Sequence, residues 1–244
     1  MTPAVFLVAP DRITGAPLVL DGPEGHHAAR VRRVRPGERV DVTDGAGNLA
    51  ECVVDALDAD VVRLAVLARR TVPAPSPRVV VAQALPKGDR GELAVEMLTE
   101  VGVDVVVPWS AARCVTQWRG ERGQRSLEKW RSHAREAAKQ ARRAWLPEVR
   151  AAASTADVAA LLGTASLGVV LHESADEPLA GLAVPADGEV VLVVGPEGGI
   201  TGDEVDAFRS AGARVVRLGD SVLRASTAGT AAAAVVLANS GRWR

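Results

Sequence analysis

The stretch VVLVVGPEGGITGDEVDAF, residues 190–208, concentrates groups that a ligand can use. Val190–Val194 form an aliphatic run closed by Gly195-Pro196, the pattern of a buried strand with an abrupt end. Thr201 and Glu204 have capping-box spacing, so each side chain can bond a backbone N–H at a helix start, and Ile200 and Val205 are placed for a hydrophobic staple. Gly195–Gly199 is therefore expected to be a strand-to-helix loop, where open α/β sheets hold ligands. A helix start favours phosphate, yet Glu197 lies inside this loop, Asp203 and Glu204 follow in the first turn, and no Lys or Arg accompanies them. The acids either cap an ordinary turn or face a ligand that is neutral or cationic at this end.

Two further strand ends carry polar groups: LHE at 171–173 and LGDSVLRASTAG at 218–229. If their strands run parallel to 190–194, all three ends share one edge of a sheet and can line one pocket. That pocket offers glycine backbone, the aliphatic side chains of Leu171, Leu218 and Leu223, several acids and Arg224. Peptide N–H and C=O groups suit a purine edge, and Glu173 or Glu197 tolerates a positive charge. Adenine joined to a sulfonium has both properties. GAGNLA at 45–50 satisfies a dinucleotide-binding G-x-G-x-x-A pattern, but that pattern needs a following helix and here an alternating, strand-like run follows. No G-x-x-x-x-G-K-[ST] loop is present, and Ser, His and Asp do not occur in a nucleophile-elbow setting.

The elements that must position these groups change character along the chain. Residues 1–70 read mostly as β, with ERVDVTDGAGNLAECVVDAL alternating about a Gly-Ala-Gly-Asn turn as a hairpin does and DVVRLAVLA (60–68) continuing the pattern. A short, basic helical segment interrupts near His26–Arg33. TVPAPSP (71–77) reads as a stiff linker. Beyond it, strands at 79–85, 103–109, 167–173, 190–194 and 213–218 alternate with helices at 89–102, 201–211 and 226–240. A long helix over 126–147 has Leu127, Trp130, Ala134, Ala138, Ala141 and Trp145 on its inner stripe and ends at Pro147. Such alternation implies an α/β fold with a largely parallel sheet covered by helices.

The 244 residues are 48% hydrophobic and 24% charged, as in globular proteins with a sizeable core. The amino terminus lacks the pattern of a secretory signal, and 226–241, the most apolar stretch, reads as a buried helix rather than a membrane span, so a cytoplasmic protein without a membrane partner is expected. Cys52 and Cys114 have neither metal-site nor disulfide spacing, so no metal is implied. A formal net charge of −1 conceals two basic segments, HHAARVRRVRPGER (26–39) and WRSHAREAAKQARR (130–143), each either a phosphate-contacting surface or a solvated face. With 3% aromatic residues, base recognition by an aromatic-studded sheet is not expected.

GPEGGIT followed by LGDSVLRASTA, with KGDR and EAAKQARR upstream, resembles the bacterial 16S ribosomal RNA (uracil-N3)-methyltransferase family of the SPOUT, trefoil-knot superfamily. HHAARVRRVRPGE resembles that family's amino-terminal segment, so the likeness covers nearly the whole chain. It implies a PUA-like β-barrel domain over 1–70, a linker over 71–77 and an α/β knot methyltransferase domain over 78–244. It also implies a homodimer with its active site at the subunit interface. The chain departs from the family's usual pattern in having Ser226-Thr227-Ala228 after Leu223-Arg224-Ala225, and Glu96-Met97 in the first helix of the second domain.

The resemblance implies methyl transfer from S-adenosylmethionine to N3 of a uridine in 16S ribosomal RNA of the small subunit. Cofactor contacts would fall on Leu171, His172, Glu173, Gly195, Pro196, Glu197, Gly198, Gly199, Leu218, Gly219, Leu223, Arg224 and Ser226. Arg224 is the candidate cation for the negative charge that develops on the uracil, the alternative being a salt bridge to Glu197 or Asp220. Glu197 and His172 are the candidate bases. The resemblance and the basic segments together place RNA backbone contacts at Arg30, Arg32, Arg33, Lys87, Arg90, Arg113 and Arg143. A knot methyltransferase for another RNA position, and a non-catalytic RNA-binding assembly factor, remain the competing expectations.

Overall fold

The structure is a computed structural model that describes residues 2–15 and 17–243. The chain forms two compact units, one made of the residues up to Ala74 together with Ala138–Leu146, the other of Pro75–Ala137 together with the chain from Pro147 onward.

The first unit contains β1 (Ala4–Leu7), β2 (Leu18–Leu20), α1 (Gly22–His26), β3 (Arg39–Thr43), β4 (Asn48–Asp58) and β5 (Val61–Thr71), with a π-helical turn over His27–Val31 after α1. Among the described residues these strands form one sheet in the order β1-β3-β4-β5-β2. The expected hairpin is β3–β4, antiparallel from the Arg39–Val53 pair to the Thr43–Leu49 pair. Its turn is organised by Asp44, whose Oδ1 accepts the N–H groups of Ala46 and Asn48 at 2.8 and 3.1 Å. Gly45–Asn48 is thus a turn leading into a strand, which excludes the dinucleotide-binding arrangement. Phe6, Leu18, Leu20, Val40, Val54 and Leu64 belong to one buried cluster that draws on all five strands. Both edge strands contribute, so the sheet curves around a single core.

The second unit contains β6 (Arg78–Ala84), α2 (Arg90–Val101), β7 (Val105–Trp109), most of α3 (Gly120–Gln140), β8 (Glu148–Val149), α4 (Thr155–Thr164), β9 (Leu167–Leu171), β10 (Glu189–Val194), α5 (Gly202–Ser210), β11 (Arg214–Val216) and α6 (Ala225–Asn239). Its sheet runs β11-β9-β10-β6-β7-β8 and every described pairing in it is parallel. Val79–Val81 and Val190–Val193 are fully buried, as residues on both faces of a helix-covered parallel sheet must be. Each such side chain contributes about 1.5–3 kcal/mol relative to exposure. Because β9, β10 and β11 are parallel neighbours, their carboxyl ends share one edge of the sheet. This is the α/β class expected from the sequence.

The short strand β8 is not among the expected strands, and two helices of the second unit differ from expectation. The long helix begins at Gly120 and stops at Gln140, seven residues short of Pro147. Arg142 adopts a left-handed φ of 55°, and Arg142 and Arg143 donate their N–H groups to Lys139 and Ala138 carbonyls, which closes the helix. Beyond it Trp145 packs in the first unit, its Nε1 donating to Val72 O at 3.0 Å and its ring 2.7 Å from where a Cβ on Gly47 would be. Tertiary contact therefore overrides the periodicity that carried the expectation past 140. The other difference is α4, a helix outside the expected elements, started by a Ser154–Asp157 capping box.

Candidate functional site

The carboxyl ends of β9, β10 and β11 and the start of α6 enclose a cavity of about 410 Å³. The end of β9 contributes Leu171, His172 and Glu173. The loop after β10 contributes Gly195, Pro196, Glu197 and Gly199, and the loop before α6 contributes Leu218, Gly219, Leu223 and Arg224. Gly198 and Ser226 are outside the lining. Gly198 turns toward Arg113, its carbonyl accepting from Arg113 Nη1 at 3.1 Å, and Ser226 is buried in the first turn of α6. Val194, Ile200, Arg217, Asp220, Ser221, Val222, Ala225 and Ala228 also line the cavity and were not among the expected residues. Val194 ends the expected strand, Ile200 has staple spacing and Asp220 is a possible partner of Arg224; the others have no signal beyond adjacency to residues already named.

The glycine loop is shaped by its own sequence. Gly199 donates its N–H to Pro196 O at 2.9 Å and has φ 75°, a conformation suited to glycine. A Cβ on Gly195 would lie 2.7 Å from Ile200 Cγ1. The capping box closes as expected: Thr201 Oγ1 accepts the Glu204 N–H at 3.3 Å, and Glu204 Oε2 accepts the Thr201 N–H at 3.0 Å. Glu204 does more than cap. It is 5% exposed, and its Oε1 accepts the Ala112 N–H at 2.8 Å and the Thr155 hydroxyl at 3.1 Å. Burial alone would raise its pKa, but the bonds from Thr201, Ala112 and Thr155 outweigh burial and hold it below the usual value.

The other charged groups at the cavity are mostly paired locally. Glu197, with its side chain 26% exposed, accepts the Lys87 N–H at 3.2 Å through Oε1 and lies 3.9 Å from Arg90 Nη1. Asp220 pairs with Arg217 at 3.3 Å. Arg224 occupies the N-cap position of α6 and is exposed, and among the described residues its guanidinium forms neither of the salt bridges considered from the sequence. His172 Nδ1 accepts the Ser174 N–H at 3.2 Å, so a neutral His172 carries its proton on Nε2.

The candidate RNA contacts fall into two groups. Lys87, Arg90 and Arg113 gather at the glycine loop through their contacts with Glu197 and Gly198. Arg30, Arg32, Arg33 and Arg143 belong to the first unit. Arg30 pairs with Asp60 at 2.7 Å, and Arg32 lines a small cavity of about 90 Å³ with His27, Lys139 and Arg142. Arg33 is exposed at φ 53°, and Arg143 is half-buried.

Residues 73–237 match the family described as RNA methyltransferase domain, and residues 20–66 match the RNA methyltransferase PUA domain. The chain is 48% identical over 238 residues to the ribosomal RNA small subunit methyltransferase E of Mycobacterium tuberculosis, covering 94% of this chain and 89% of that protein. It is 31% identical to the protein of the same name from Synechocystis, covering 95% and 76% of the two chains. Among solved structures, the ribosomal RNA small subunit methyltransferase E of Neisseria gonorrhoeae bound to S-adenosylmethionine superposes with a TM-score of 0.84 at 24% identity, over 97% of this chain and 98% of that one. That last likeness is one of fold.

Proposed function

We propose that this chain, which belongs to the ribosomal RNA small subunit methyltransferase E family, transfers a methyl group from S-adenosylmethionine to N3 of a uridine in 16S ribosomal RNA. RNA methylation follows from family membership; the atom, the cofactor contacts and the residue roles are the proposal. The cavity suits such a donor. Leu171, Leu218, Leu223 and Ala228 supply apolar walls, peptide groups of the 195–199 and 218–223 loops suit a purine edge, and Glu173 and Glu197 tolerate a cationic sulfonium. S-adenosylmethionine supplies a methyl group already activated for transfer.

What the protein must add is removal of the N3 proton and stabilisation of the charge that spreads onto O2 and O4. The observation that carries the proposal is an Arg224 guanidinium that has no salt bridge among the described residues, at a cavity whose nearby acids Glu197 and Asp220 have other partners. A fixed cation there acts most strongly when the charge is fully developed, and so favours the transition state. For the proton, Glu197 is the better placed of the two candidates. Its Oε1 is held by the Lys87 N–H, and among the described residues its Oε2 takes no hydrogen bond. His172 Nδ1 is already occupied and a neutral Nε2 already protonated. Lys87, Arg90 and Arg113 hold RNA backbone beside the cavity, and Arg30, Arg32, Arg33 and Arg143 serve the same purpose on the first unit. The active form is a homodimer, whose second copy covers Val222 and Leu223, 81% and 41% exposed at the cavity.

The test is methyl transfer from labelled S-adenosylmethionine to small subunits lacking N3-methyluridine, with nucleoside analysis. N3-methyluridine is the expected product, and Arg224→Ala is expected to lower kcat by about a hundredfold, as loss of one charge-stabilising donor does. A different methylated nucleoside, or an Arg224→Ala enzyme as fast as wild type, overturns the corresponding part of the proposal.

A further inference from the structure

The second unit holds another cavity, of about 490 Å³, whose wall is hydrogen-bonded to that of the first. Pro86 and Gly88 line it, while the Lys87 N–H between them bonds Glu197 of the first cavity. Thr116 Oγ1 donates to Pro86 O at 2.8 Å and Arg113 donates to Gly198 O, so the 111–119 loop is fixed to the same partition. The far wall is Trp118, Arg122 and Trp130. Trp130 is 3% exposed and braces Trp118 edge-on, with ring centroids 5.0 Å apart. Trp118 itself is half-buried, and among the described residues its indole N–H has no hydrogen-bond partner.

The charges around this cavity favour a polyanion. Glu92 in its wall is paired with Lys129 at 2.8 Å, and Glu121 with Arg125 at 3.6 Å. Arg122 is exposed in the first turn of α3 and among the described residues has no carboxylate partner, and Arg119 is exposed just before that helix. The volume lies in the range of about 300–1,000 Å³ usual for small-molecule sites. A braced aromatic side chain with cations beside it is the arrangement that holds a base of single-stranded nucleic acid while its phosphate is neutralised.

We propose that this cavity is a nucleobase subsite. RNA whose target uridine enters the first cavity crosses the 86–90 loop, where Lys87 and Arg90 meet its backbone, and lays a neighbouring base against Trp118 with a phosphate at Arg122. The proposal rests on the RNA methyltransferase reading of the first cavity and is independent of which uridine atom is methylated. Trp118 acts here as a positioning residue for the substrate.

The experiment uses the full-length protein and a short single-stranded RNA centred on a uridine, with affinity read by anisotropy of the labelled RNA. Trp118→Leu keeps an apolar contact with Trp130 and removes the aromatic face; Trp118→Phe keeps that face. The Leu variant is expected to bind RNA about tenfold more weakly, the typical loss for one stacked base, with S-adenosylmethionine affinity by calorimetry unchanged and the Phe variant largely restored. In methyl transfer the loss appears in KM for RNA, with kcat retained. Arg122→Gln, a surface change independent of the Trp pair, is expected to weaken binding and reduce the salt dependence by about one counterion. A Trp118→Leu protein that melts like wild type and binds RNA as tightly overturns the subsite, as does an unchanged salt slope in Arg122→Gln, or no RNA binding by the wild type. A product other than N3-methyluridine from the wild-type enzyme overturns the N3 proposal and leaves the subsite standing.

Discussion

Glu204→Gln isolates what a single buried carboxylate does for the loop that frames the cavity. In the wild type Oε1 receives the Ala112 N–H and the Thr155 hydroxyl, and Oε2 receives the Thr201 N–H and hydroxyl. An amide replaces one of these oxygens by a donor. A threonine hydroxyl can rotate to accept from it, but a backbone N–H cannot, so in either orientation one peptide N–H at this 5% exposed site loses its acceptor. An unsatisfied buried donor costs about 1–3 kcal/mol. Taking about 2 kcal/mol, and about 2–4 °C per kcal/mol for a unit of this size, the melting temperature is expected to fall by about 4–8 °C at pH 7.

The pH dependence distinguishes this cause from a packing defect. The folded-state pKa of Glu204 lies below the usual 4.5. The carboxylate's contribution is therefore fully present above the unfolded pKa and is lost as pH falls through the depressed folded value. Glutamine does not titrate. The gap in unfolding free energy between wild type and Glu204→Gln, measured by urea titration, is expected to be widest near neutrality and to narrow below about pH 4.5, the usual glutamate pKa. A gap that stays constant from pH 7 into the acid range would refute the assignment of this stability to the ionised form.

Arg242→Ala removes a guanidinium that bonds both oxygens of the 5% exposed Asp104, at 2.6 and 3.2 Å, and reaches the Pro77 and Gly102 carbonyls; leaving Asp104 without it is expected to cost about 3–5 kcal/mol by chemical denaturation, and a loss below about 1 kcal/mol would show the pair to be dispensable. Gly195→Ala puts a Cβ 2.7 Å from Ile200 Cγ1 in the cavity wall, so calorimetry is expected to show S-adenosylmethionine affinity reduced by about tenfold, equivalent to about 1.4 kcal/mol of overpacking expressed at the site, and wild-type affinity would mean that Ile200 moves aside freely.

The parts of this fold that are legible in sequence are those whose determinants are local. Val190–Val194 is uniformly aliphatic because both faces of its strand are covered, and Thr201 meets Glu204 only three residues away. Parallel pairing then follows from alternation, and the gathering of the 171, 195 and 218 loops follows from parallel pairing. What escaped depends on partners distant in sequence. Gln140 ends α3 without a glycine or proline beside it, because the chain beyond is held by Trp145 against Val72 and Gly47. Glu204 reads as a cap, while its bonds to Ala112 and Thr155 span 92 and 49 residues. Trp118 and Trp130 have no helical spacing to advertise a cavity, since Trp118 lies before α3 begins.

Arg224 shows why local rules broken at a site are informative. The N-cap of a helix favours Ser, Thr, Asp or Asn, whose side chains accept a first-turn N–H, and α6 has no side-chain cap at all. Replacing a good cap by a non-capping residue costs about 0.5–2 kcal/mol. Ser154 and Thr201 cap α4 and α5 through their side chains, whereas α6 starts with a cation at the cavity wall. Arginine here adds no helix cap, and among the described residues its guanidinium makes no salt bridge with Glu197 or Asp220, so neither of those contacts explains it. Under the proposed reaction, the positive end of α6 and the guanidinium would act on the same space, and both would stabilise an anion developing on a bound base. Arg224→Ala is accordingly expected to abolish most of the transfer rate while melting no lower than wild type. A large loss of stability in that variant, measured beside its kinetics, would return Arg224 to a structural role.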